Sequence, residues 1–165
     1  MMGPMANSNT VPGWGLALVR LTLGVLVTRT GWSWVTGDGL PGRTLKGWVE
    51  GGLDEAGAIA GWWGRDVLLY NPDGVAFLLA WTVFLAGIAL VLGAFTRPAA
   101  TWVAFVGVHA MYFDVSDGRA TLLLVVVALA CAMSRAGRRL GLDSALDGSL
   151  PTWMTWVQGR NDFLG

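Results

Sequence analysis

The chain has one cysteine, one histidine and few charges, with only 13% of its 165 residues being Asp, Glu, Lys or Arg. Soluble domains carry about a quarter. A lone cysteine excludes an intrachain disulfide, and no CxxC or Cys/His cluster spells out a zinc or iron–sulfur site. Cys131 lies inside an apolar run and reads as a small, inert core residue. The formal charge is zero, so no basic patch suggests nucleic acid as a partner. Also absent are a phosphate-cradling loop, a nucleophile elbow, an HExxH motif and a carboxylate pair at catalytic spacing. Nothing in this inventory builds an active site unaided.

What is abundant is apolar sequence: 54% of residues are hydrophobic and the mean hydropathy is +0.55. Between Asp73 and Arg97 roughly 23 residues pass without a formal charge, enough for one helix to cross a bilayer. Similar apolar runs occupy Trp14–Val35, which two arginines interrupt, Pro98–Phe113 and Ala120–Met133. The pattern predicts an all-α integral membrane four-helix bundle, with spans near 14–35, 75–95, 98–113 and 118–134. Residues 1–13 read as a flexible N-terminus, 14–146 as the membrane domain and 147–165 as an interfacial or partner-docking tail. The first run is longer than a signal-peptide core and lacks a small-residue cleavage site, so it reads as a retained span.

The punctuation agrees. Asn71-Pro72-Asp73-Gly74 is a breaker cluster before the second span. The link Thr96-Arg97 is so short that the second and third spans must be antiparallel neighbours, and Pro98 suits a first helical turn. Residues 37–74 are too apolar for an ordinary loop and predict one or two short helices on the membrane surface or capping the bundle. Residues 54–60 resemble a short helix with acids in its first turn. Basic residues near the spans favour both termini on the cytoplasmic side, with Arg97, Arg135, Arg138, Arg139 and Arg160 inside and Arg43, Lys46, Arg65 and Arg119 outside.

Two arginines interrupt the first span. An intramembrane charge costs at least about 2.5 kcal/mol on insertion scales, so each needs a reason. Arg20 shares a helical face with Gly24, Thr28 and Gly31, a small-residue stripe that lets another helix, or a partner subunit, approach closely. It reads either as a structural ion pair or as an anchor for a quinone carbonyl, lipid phosphate or other anionic head group. Arg29 lies on the opposite face, nearer the outer end, where it can snorkel or meet Asp38, Asp66, Asp114 or Asp117.

In the third span, Trp102 and Phe105 precede His109 on one face. A bis-histidine haem would need a second histidine from another chain. Two readings remain: a neutral histidine bonded within the bundle, or His109 and Tyr112 donating to a quinone oxygen in an aromatic-walled pocket. Asp114 and Asp117 read as caps and partners for Arg119. Of ten tryptophans, Trp14, Trp32, Trp34 and Trp102 suit interfacial belts. Trp62 and Trp63 on the outer segment, and Trp153 and Trp156 in the tail, read as partner contacts.

The span Leu92-Gly93-Ala94-Phe95-Thr96-Arg97-Pro98-Ala99-Ala100, followed by Ala136-Gly137-Arg138-Arg139-Leu140-Gly141-Leu142-Asp143, resembles the DoxX/DoxD family. Val19-Arg20-Leu21-Thr22-Leu23-Gly24 and Thr30-Gly31-Trp32-Ser33 are similar to the family's first helix, and the likeness covers about Trp14–Leu146. The resemblance implies a four-helix protein of a bacterial or archaeal cytoplasmic membrane, linked to redox chemistry. The family's namesake is the quinone-reactive membrane part of a thiosulfate:quinone oxidoreductase, and other members partner soluble redox enzymes. The family's first-helix arginine falls on Arg20. Where many members have His-Gly-x-x-Lys, this chain reads Thr30-Gly31-Trp32-Ser33-Trp34, and a common glutamate is replaced by Val83.

Together these readings predict a non-catalytic accessory subunit of a respiratory or photosynthetic electron-transfer assembly. Its expected partners are other membrane redox subunits and the lipid bilayer. Quinone, lipid or pigment would bind non-covalently at its surface. The alternative is the quinone-reactive small subunit of a thiosulfate:quinone oxidoreductase. A small-solute transporter fits less well, because the second and fourth spans lack polar pathway residues and no inverted repeat is evident.

Overall fold

The computed structural model describes residues 13–37, 42–53, 57–113 and 118–133. Among them the chain is all-α, with no strand. Helix α1 is Gly13–Val35, α2 Gly42–Leu53, and α3 Ala58–Trp62, which continues as a π-helical turn over Trp63–Leu68. Then come α4 (Pro72–Leu92), α5 (Thr96–Tyr112) and α6 (Gly118–Met133).

Each boundary has a local cause. Asn71 caps α4: its side chain accepts the Gly74 N–H at 3.1 Å, and Pro72 takes a position whose missing N–H costs nothing. The Asn-Pro-Asp-Gly cluster is therefore the start of the helix, three residues earlier than its breaker character suggested. At the other end Gly93 adopts a left-handed conformation (φ 65°) and Phe95 follows (φ 52°), reversing the chain between α4 and α5. The hydroxyls in these apolar helices bond back to their own backbone. Thr22, Thr28 and Thr30 donate to the carbonyls four residues earlier, as does Thr101. A hydroxyl facing hydrocarbon needs such an internal acceptor.

The long helices form two tightly packed pairs, α1 with α4 and α5 with α6, which join through α4–α5 and α1–α6 contacts. Glycine sets the first pair. A Cβ on Gly24 would lie 2.8 Å from the Val91 nitrogen, and one on Gly31 would lie 2.5 Å from the Phe84 backbone. From the facing side, a Cβ on Gly87 would strike the Thr28 backbone. The register 24 to 91, 28 to 87 and 31 to 84 runs antiparallel. The Gly24-Thr28-Gly31 stripe thus meets the chain's own α4. Gly107 does the same for the second pair, facing Val125 at 2.6 Å.

Between these pairs lies a core of small and branched aliphatic residues, including Val27, Val83, Ala86, Leu90, Ala100, Ala104 and Ala128. A second, smaller cluster of Leu45, Val49, Ala76 and Phe113 fixes α2 across the end of the bundle where α1 and α5 finish and α4 begins. α2 buries one face, while Lys46 and Glu50 form an exposed i,i+4 pair at 3.7 Å on the other. Such a pair contributes little.

By length and composition one described helix is able to cross a membrane: α4, with 21 residues and mean hydropathy 2.6, only 33% of it buried. α6 is apolar but its described part is shorter. The four spans read from sequence thus meet that test once. α1 is long enough, with 23 residues, but Arg20, Arg29 and its Gly and Thr residues dilute it; α5 has 17 residues and includes Arg97 and His109. The molecule nevertheless leaves a broad apolar exterior, with Leu18, Val25, Leu78, Leu85, Leu123 and Val126 each more than half exposed. A helix apolar on all sides and only one-third covered has lipid or another protein as its surroundings.

Candidate functional site

Arg20 is fully buried, at 0% exposure, the largest side chain enclosed by the bundle. The α1–α4 register places it level with the Gly93–Phe95 reversal, about 10 Å into α1. Cys131 on α6 lies within its electrostatic reach. Thr96, at 3% exposure, is the other buried polar residue among those described. Arg20 therefore points into the bundle and not toward a subunit contact. Arg29 is exposed and forms no ion pair with a described residue; Asp38, Asp114 and Asp117 lie outside the described residues. Its position about 9 Å from the end of α1 suits snorkelling.

The aromatic run on α5 is assembled as its spacing suggests and extended by a residue from the π-helical turn after α3. Trp102 stacks on Phe105 (centroids 5.4 Å), and Phe105 lies 4.1 Å from the His109 ring. The Trp63 ring lies 6.0 Å from the His109 ring. His109 Nδ1 is 2.8 Å from the Phe105 carbonyl. A carbonyl only accepts, so Nδ1 carries the proton, and in the neutral ring Nε2 is left as an acceptor. The indole N–H groups of Trp63 and Trp102 are buried and meet no acceptor among the described residues. The Tyr112 hydroxyl accepts the Gly57 N–H at 3.1 Å, which ties α5 to the outer segment.

Sequence reasoning placed Trp63 with Trp62 as a partner contact. Their rings pack 6.5 Å apart, but Trp62 is 56% exposed whereas Trp63 meets His109 on α5. The π-helical turn that begins at Trp63, marked by Leu69 N–H to the Gly64 carbonyl at 3.0 Å, shifts the side-chain spacing there. Gly64 seats that turn, since a Cβ would lie 2.9 Å from Leu53. No local pattern announces this contact. Trp102, expected at an interface, packs partly against the bundle core. Trp153 and Trp156 lie outside the described residues.

Arg20 and His109 are not brought together. Thirteen residues of α5 separate the level of Thr96, near Arg20, from His109, about 20 Å along the axis. Among the described residues no three His, Cys, Asp or Glu side chains gather to hold a metal.

The family pattern of DoxX matches residues 15–115. The chain belongs to the DoxX family. The match includes α1 to α5 and stops before α6, short of the Trp14–Leu146 likeness read from sequence; residues 136–143 lie beyond both the match and the described residues. DoxX is a membrane family, and the exposed apolar belt of this DoxX protein accords with that. No curated protein and no solved structure matches the chain.

Proposed function

We propose that this DoxX protein is an accessory, non-catalytic integral subunit of an electron-transfer assembly in a bacterial or archaeal cytoplasmic membrane. It would cross the bilayer four times with both termini inside. The separation of Arg20 from His109 carries this reading. The two polar side chains most suited to chemistry sit near opposite ends of the bundle, and the former is enclosed by packing. The wide apolar exterior then serves partner helices and lipid, with quinone or pigment as further candidates for contact. Isolation of the native protein in mild detergent should bring down redox subunits in fixed stoichiometry. A lone, monodisperse chain would sink the proposal.

The second reading, a quinone-reactive small subunit of a thiosulfate:quinone oxidoreductase, is favoured by one observation. The flanking Trp63 and Trp102 hold indole N–H donors that meet no acceptor among the described residues, and His109 keeps a ring nitrogen as acceptor. The indole donors match the carbonyl of a quinone stacked among aromatics, and the His109 acceptor matches the hydroxyl of its reduced form. Under this reading His109→Ala abolishes quinone reduction in membranes containing the chain and its partner. Unchanged turnover removes His109 from the reaction.

A further inference from the structure

A cavity of about 180 Å³ opens where α1 ends, α2 starts and α4 begins, at the end of the molecule away from Arg20. Trp34, Phe77 and Trp81 wall it, and Gly42 and Asp73 contribute its polar side. The aromatic walls are unusual in being uncovered: Phe77 is 63% exposed and Trp81 38%. Their ring centroids lie 6.3 Å apart, so one group can sit within about 6 Å of both faces, the range of a cation–π contact. Trp81 is braced edge-on by Phe84 at 6.1 Å, which holds the wall in place.

Asp73 supplies the charge. Its carboxylate makes no ion pair or side-chain hydrogen bond with a described residue, although Arg43 follows Gly42 directly. Gly42 brings the start of α2 against it, and a Cβ there would collide with the carboxylate. An anion with no cation paired to it among the described residues, beside three aromatic rings, is the combination that receives a positively charged, weakly hydrated group. The volume matches on the order of six waters of liquid space, close to a head of five or six heavy atoms. A compact ammonium such as a lysine head would keep its own hydration and gain less from the rings.

We infer that the cavity bounded by Trp34, Phe77, Trp81 and Asp73 binds an organic cation of the quaternary-ammonium class. The same chemistry is carried by a free trimethylammonium compound and by a choline-type lipid head group. The inference is independent of the electron-transfer reading.

The test uses the full chain in a maltoside detergent, which has no quaternary nitrogen. Calorimetric titration with choline is compared with 3,3-dimethylbutan-1-ol, its neutral carbon counterpart. Choline should bind at least about tenfold more tightly, and Asp73→Asn should weaken it by about tenfold. Phe77→Leu keeps apolar volume, removes the π face and should weaken binding several-fold. In parallel, nanodiscs of mixed phosphatidylcholine and phosphatidylglycerol are released into native mass spectrometry. Selective retention of phosphatidylcholine, lost in Asp73→Asn, assigns the lipid source; choline binding without lipid selectivity assigns the free cation. Equal affinity for the neutral counterpart overturns the inference, as does unchanged binding in both variants. Failure to bind choline and to select phosphatidylcholine overturns it as well.

Discussion

At the scale of single residues, this protein depends on side chains that are missing as much as on those present. Gly31 and Gly87 let α1 and α4 touch backbone to backbone, and no larger residue fits without moving a helix. Gly87→Val should lower stability by about 1–3 kcal/mol, read as a drop in thermal midpoint in detergent; Gly47→Ala, mid-helix in α2 where a Cβ meets nothing within 4 Å, should instead hold or raise the midpoint, by up to about 1 kcal/mol of helix propensity. Arg20 is the opposite case, a long charged side chain enclosed on every side. Arg20→Ala should cost about 3 kcal/mol through the void and the loss of charge, whereas Arg20→Met, which refills the space, should cost less. Equal midpoints for Arg20→Ala and the parent would show that the buried arginine is not structural. The charge interrupting the first span was legible in the sequence. Its direction into the bundle was not, because helical periodicity gives a face and only the neighbours decide what that face meets.

At the scale of elements, the ends of α4 carry most of the local information. Asn71 at its start and Gly93 at its end satisfy backbone groups that the helix itself leaves unpaired. Asn71→Ala and Gly93→Ala should each destabilise by about 1 kcal/mol, the first through a lost cap and the second through a left-handed φ of 65°. If Gly93→Ala melts like the parent, the turn does not hold the helices in register. Both signals stand in the sequence as Asn-Pro-Asp-Gly and Leu-Gly-Ala. The outer segment was harder to read. Its tryptophans and glycines announced helical, apolar character, but the π-helical turn at Trp63 redirects a side chain onto His109. Nothing in the local pattern could reveal a contact made across 46 positions of chain.

At the scale of the whole molecule, antiparallel packing puts the α4–α5 reversal at one end and the α2–α3 cap at the other. Under the proposed orientation the first faces the cytoplasm and the second the outside. Gly47→Cys, in open space on α2, should then react with a membrane-impermeant maleimide from the outside of intact cells. Arg97→Cys should react only after the membrane is opened, and buried Cys131 should stay silent in both. Labelling in the reverse order would invert the orientation.

The sequence by itself determined that the chain is apolar and that its second span is a helix, since an uncharged run of about 20 residues satisfies its backbone hydrogen bonds within itself away from water. The glycine stripe on α1 and the aromatic run on α5 also follow from spacing, because a helix repeats its faces every 3.6 residues. Only the tertiary structure decided that the stripe serves the chain's own α4, that Arg20 and His109 stay apart, and that Trp34, Phe77, Trp81 and Asp73 share one cavity. Those are relations between helices, set by which surfaces pack most closely, and a one-dimensional pattern carries no distance between positions that far apart.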